Sequence, residues 1–121
     1  FIKTGWIDKL KKNNIEVHVR SIFLQGLINL ETWPAYFNPW LDKINYFQNE
    51  IAKLNITSTI AAISYVKNIK NIDKIVLGVN NPNQINEYLD TNVFENNLKY
   101  ISDNCEITDK GFYNPSFWKN E

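Results

Sequence analysis

Residues 15–20 alternate: Ile15, Val17 and Val19 are apolar, and Glu16, His18 and Arg20 between them are polar. A period of two places one set on each face of a β-strand. Ahead of this run, Ile2, Trp6, Ile7 and Leu10 repeat at helical spacing. Lys9, Lys11 and Lys12 suit the negative end of that helix, so residues 1–14 read as a helix closed by an Asn13-Asn14 turn. Further on, Asn38-Pro39 reads as a helix cap followed by a first-turn proline, and Leu41, Ile44, Phe47, Ile51 and Leu54 supply the apolar face of the helix. Another helix restarts at Thr57 or Ser58. Its stretch "STIAAISYV" is small and apolar on most sides, which predicts deep burial.

Residues 72–79, "IDKIVLGV", predict a second strand. Its continuous apolar centre, Ile75-Val76-Leu77, is the pattern of a strand covered on both faces in a parallel sheet. Asn81-Pro82 then caps and starts a helix carried on by Ile85, Tyr88 and Leu89. A further helical stretch spans 93–101, and 102–121 reads as irregular. The order is helix, strand, helices, strand, helices. Strands separated by helical crossovers imply a parallel sheet with right-handed connections, hence an α/β fold. Two strands are few for an open sheet, and a complete β/α barrel needs about 250 residues. The 121 residues contain no methionine and open on Phe1, so they are expected to be one partial domain of something longer.

Formal net charge is zero, which argues against nucleic acid or an anionic membrane as partner. No apolar run is long enough to span a bilayer. The single cysteine, Cys105, cannot form an internal disulfide, so a reducing, cytoplasmic setting is expected. With one histidine, His18, a histidine-rich metal site within the chain is excluded. The common nucleotide, hydrolase and zinc-protease signatures are absent.

The chemistry-bearing signal is where the strands end. "RSIFLQG" follows the first and "GVNNPNQ" the second. Free backbone N–H groups and a helix N-terminus after a strand favour an anion, and Gly26 and Gly78 allow a ligand close to the backbone. Ordinary turn chemistry is the plain alternative. Arg20 closes the polar face of its strand. A buried arginine is costly unless paired, so it needs a carboxylate, a phosphate or an open mouth. The loop "NLETWPAYFNPW", 29–40, concentrates Trp33, Tyr36, Phe37 and Trp40. Packing on the body and a lid over a site are both open readings.

Together, "IEVHVRSIFLQGLI" and, some fifty residues later, "IDKIVLGVNNPNQINEYL" resemble the C-terminal third of the aldo/keto reductases, as does the closing "NPSFW". The resemblance implies the C-terminal portion of a (β/α)8 TIM barrel, its two parallel strands being the seventh and eighth. It also implies a nicotinamide cofactor, usually NADP, that serves carbonyl reduction. Matched by position, Ser21, Phe23 and Gln25 fall on the loop around the cofactor's pyrophosphate. Gly78, Asn80, Gln84 and Glu87 fall on positions lining the adenosine end. Arg20 stands where the family usually stacks an aromatic on the nicotinamide; a guanidinium can stack or pair with phosphate. No arginine lies near Asn80 or Gln84 for the 2′-phosphate, and Tyr88 replaces a common asparagine, so NADP and NAD both stay open. The family's catalytic aspartate, tyrosine, lysine and histidine belong to earlier strands, and no catalytic residue is assigned here. The aromatic loop, with Trp33, Tyr36 and Trp40, is implied to lie near the substrate mouth. Alternatives are a non-catalytic module of the same fold and an unrelated small α/β interaction domain. A cut half-barrel also predicts self-association through exposed edges.

Overall fold

The computed structural model describes residues 2–89 and 95–118. A 3-10 turn, Ile2–Thr4, leads into helix α1, Trp6–Lys12. Gly5 between them has φ 71°, a left-handed conformation that a glycine adopts without steric penalty. The expected single helix over 1–14 is therefore broken at Gly5. Strand β1 is His18–Arg20 and strand β2 is Lys74–Val76; they pair in parallel, with Val19 opposite Ile75. Between them lie 3-10 turns at Leu24–Asn29 and Ala35–Trp40, then helices α2, Leu41–Lys53, and α3, Ser58–Lys67. Helices α4, Pro82–Leu89, α5, Glu95–Cys105, and α6, Lys110–Tyr113, follow, with a last 3-10 turn at Pro115–Phe117. The described residues thus form a mixed fold of helices and a small two-stranded parallel sheet.

Both strands are shorter than the alternation predicts, for a local reason. The carboxylate of Asp73 accepts the Val17 N–H at 2.7 Å, and the Asp73 N–H donates to the Val17 carbonyl at 2.9 Å. A side chain takes the place of strand pairing there, so the ladder proper begins one residue later. At the other end Ser21 turns left-handed, φ 61°, and carries β1 away, which leaves β2 without a partner beyond Val76.

Asp73 also receives the Lys11 ammonium at 2.6 and 2.8 Å, tying α1 to both strand starts. Lys11, and then the Val17 N–H, hold its carboxyl below the usual carboxylate range. A depressed folded-state pKa adds stability above the unfolded value, about 3.9, that is lost as pH falls through the folded value. Asp73→Asn is therefore expected to lower the urea midpoint at pH 7 and to lose less than the parent on going to pH 3. Equal midpoints at pH 7 would contradict this role.

The two faces of the sheet differ. Val17 is buried and Val19, Ile75 and Leu77 are half-buried, whereas Glu16, His18, Arg20, Lys74 and Val76 are exposed. The expectation that β2 is covered on both faces is corrected: Val76 is 54% exposed, because its face has no covering layer among the described residues. On that open face Glu16 accepts from His18 at 2.9 Å and from Lys74 at 3.2 Å.

Two apolar clusters hold the helices. Ile51, Ala61, Leu98 and Ile101 join α2, α3 and α5. Phe37, Ile44 and Phe112 centre a second, aromatic cluster with Trp33, Tyr36, Trp40 and Trp118 around them. Helix α3 buries Thr59, Ala61, Ile63, Ser64 and Val66, as its composition predicts, and Thr57 caps it by accepting the Ile60 N–H. Asn38-Pro39 does not start α2. It lies inside the 3-10 turn Ala35–Trp40, which runs directly into the helix at Leu41. The region expected to be irregular contains the end of α5 and all of α6, the latter capped by Asp109 on the Gly111 N–H. Residues 93–94 of the stretch predicted at 93–101 lie outside the described residues.

Candidate functional site

The segment after β1 has an unusual backbone. Ser21 (φ 61°), Leu24 (48°), Gln25 (56°) and Gly26 (90°) are left-handed. Only Gly26 takes this conformation cheaply; each of the others costs roughly 1–3 kcal/mol unless its surroundings enforce it. Two bonds within the turn do so, Leu24 N–H to Ser21 O at 3.2 Å and Gly26 N–H to Phe23 O at 2.8 Å. Phe23, near the right-handed region, is followed directly by left-handed Leu24. Such a right–left succession is the backbone conformation of an anion nest, with the Leu24 and Gly26 N–H groups already bonded inside the turn.

This turn and the end of β2 enclose a cleft of about 320 Å³. Arg20, Ser21, Phe23, Gln25 and Gly78, all predicted above as nucleotide-binding, line it together with Gly26. No acidic side chain is among its walls. Among the described residues, the Arg20 guanidinium has neither ion pair nor hydrogen bond. It is exposed, not buried as the inward face of a closed barrel would make it. The cleft thus offers an uncommitted guanidinium, a strained concave turn and a glycine edge at the carboxyl ends of two parallel strands. That is where open parallel sheets and barrels bind ligands.

The other predicted nucleotide contacts do structural work beside the cleft. Asn81 caps α4 by accepting the Gln84 N–H at 3.1 Å, and Gln84 reaches back to accept the Asn80 N–H at 2.7 Å. This is close to a capping box, and it satisfies donors at the helix start. Glu87 accepts from the Thr57 hydroxyl at 3.0 Å, joining α4 to the start of α3. Asn80, Gln84 and Glu87 do not line the cleft. Tyr88, which sequence reasoning did not place in the site, bridges the two loops: its ring lies 5.7 Å from that of Phe23 and its hydroxyl 3.4 Å from the Gly78 carbonyl. An aromatic seven residues after the cap, on the turn of helix facing back toward the strands, is the signal that points to it.

Trp33, Tyr36 and Trp40 are half-buried in the aromatic cluster and do not line the cleft. Trp33 stacks near-parallel on Phe112 at 5.9 Å, and the Tyr36 hydroxyl donates to the Gly111 carbonyl at 3.1 Å. Of the two readings of the aromatic loop, packing on the body is the one these contacts describe. Burial pushes the Cys105 thiol up, away from thiolate chemistry. Among the described residues no three His, Cys, Asp or Glu side chains gather as a metal site, and no helix is long and apolar enough to cross a membrane.

Comparison with protein-family models, with curated proteins and with solved structures found no match to this chain.

Proposed function

We propose that this chain is the C-terminal portion of an aldo/keto reductase-like (β/α)8 barrel and that the loops after β1 and β2 clamp a nicotinamide dinucleotide, NADP or NAD. The observation that carries the reading is the convergence of Arg20, Ser21, Phe23, Gln25 and Gly78 on one cleft at the strand ends. The residues suit a dinucleotide. The Arg20 guanidinium pairs with a phosphate or lies flat on a ring, and Gly78 lets the ligand close to β2. The cofactor, when bound, supplies a hydride for a carbonyl substrate. The general acid comes from earlier strands of the parent barrel, so this chain binds and orients without turning over.

The uncovered sheet face and the apolar Val76, Ile85 and Leu89, all exposed, suit further strands of such a barrel or, without them, a second copy of this chain. The lone, half-buried thiol accords with a cytoplasmic setting.

A titration of the purified protein with NADPH and with NADH, followed by nicotinamide fluorescence, tests the reading. Saturable binding that weakens with rising salt is the expected result, because a phosphate–guanidinium contact is screened. No binding of either nucleotide at millimolar concentration, by a well-behaved monomer, would leave the independent interaction domain as the better account.

A further inference from the structure

The helices border a second pocket, open on one side, away from the cleft. Ile44 and Phe47 of α2, Ile28, Trp33, Phe112 and Cys105 surround a pocket of about 230 Å³. A neighbouring lobe of about 190 Å³ shares Ile28, Phe47 and Cys105 with it and extends between Ala61 of α3 and Leu98 of α5. Close-packed interiors leave few voids larger than a water molecule. An apolar cavity of roughly 150 Å³ is known to stay dry and to take up benzene. The present pocket is larger and open on one side, but its walls are nearly all apolar, so water on them gains few hydrogen bonds.

We propose that this pocket binds a small, flat, uncharged aromatic molecule of one or two fused rings. The walls argue for that class. Trp33, Phe47 and Phe112 contribute three aromatic rings to the walls, and aromatic guests are favoured beside rings by offset stacking and edge-to-face contact. The one ionisable cation at the wall, Lys43, turns its ammonium to the Asn104 carbonyl at 2.7 Å, so an anionic guest finds no unengaged counter-charge. Burial keeps the Cys105 thiol protonated at neutral pH, so the association is non-covalent. The volume suits a fragment-sized guest and excludes a dinucleotide, which makes this site independent of the cleft at the strand ends.

Cys105 is the chain's only cysteine and forms part of the wall shared by both lobes, so its alkylation, run at alkaline pH where the thiolate forms, reports occupancy. The probe is naphthalene, with iodoacetamide as alkylating agent and methyl NMR as a second readout. Near-saturating naphthalene is expected to slow alkylation at least fivefold and to shift the methyl signals of Ile28 and Ile44 while those of Val76 and Leu89 stay still. Cys105→Met, which fills part of the pocket, is expected to keep the fold and lose those shifts. Should that variant fail to fold, Ile107→Phe fills the same pocket from another wall. An unchanged alkylation rate, or shifts centred on the exposed Val76 and Leu89, would overturn the proposal, as would full naphthalene binding by a folded filled variant.

Discussion

Phe37→Ala is expected to cost about 3–5 kcal/mol, the range for deleting a fully buried phenylalanine ring. Phe37 is 3% exposed and sits at the hub of the aromatic cluster. Its ring meets Trp33 at 5.1 Å, Tyr36 at 5.1 Å, Trp118 at 5.4 Å, Phe112 at 5.8 Å and Trp40 at 6.2 Å. Four of these pairs are near edge-to-face, the geometry that aromatic quadrupoles favour. Small domains have only about 5–15 kcal/mol in total, so this one change removes a large share of it. Equilibrium urea unfolding checks the magnitude, and near-UV circular dichroism checks that aromatic packing is what is lost. Phe37→Leu, closer in volume, is expected to cost distinctly less. An alanine variant within about 1 kcal/mol of the parent would show that the cluster does not hold the C-terminal segment to the body.

Arg20→Ala is expected to weaken nicotinamide-dinucleotide binding roughly tenfold to a hundredfold, the loss of one charge-assisted hydrogen bond worth about 1.5–3 kcal/mol. Stability should change little, because Arg20 is exposed and makes no ion pair among the described residues. The salt dependence of binding should flatten in parallel, since the screened contact has gone. Arg20→Lys keeps the charge and loses the planar fork, so it should recover part of the affinity. Unchanged affinity and salt slope in the alanine variant would remove Arg20 from the site.

Much of this organisation was legible in the residue pattern. The alternation Ile15 to Arg20 identifies β1 and which residues share a face, because a period of two has no other regular reading; it does not say which face is covered, and the polar face that a barrel would turn inward is the exposed one. Thr57 and Asn81-Pro82 announce α3 and α4 through chemistry local to each cap. The strand lengths were not legible, because they depend on Asp73 closing the ladder at Val17, a contact 56 residues apart in sequence. The left-handed Leu24 and Gln25 were also hidden. Neither residue type favours that conformation, and only Gly26 hints at it. Asn80, Gln84 and Glu87 look like polar ligand contacts in sequence, but polar side chains at a helix start have backbone donors to satisfy: Asn81 accepts the Gln84 N–H and Gln84 accepts the Asn80 N–H. The aromatic loop was ambiguous because rings that pack a core and rings that line a mouth are the same residue types. The tail was misread because Ser102, Asp103 and Asn104 are poor helix formers individually, yet they extend α5 where Leu98 and Ile101 anchor it in the core.

The central claim is that the two strand-end loops form one nucleotide-binding cleft. Backbone amide NMR of the isotope-labelled protein, recorded during titration with NADP, tests it most directly. The account predicts shifts confined to Arg20–Gly26, Gly78 and the neighbouring start of α4, saturating with a single affinity. Saturating shifts that spare both loops, or no shifts at all at millimolar nucleotide, would contradict it.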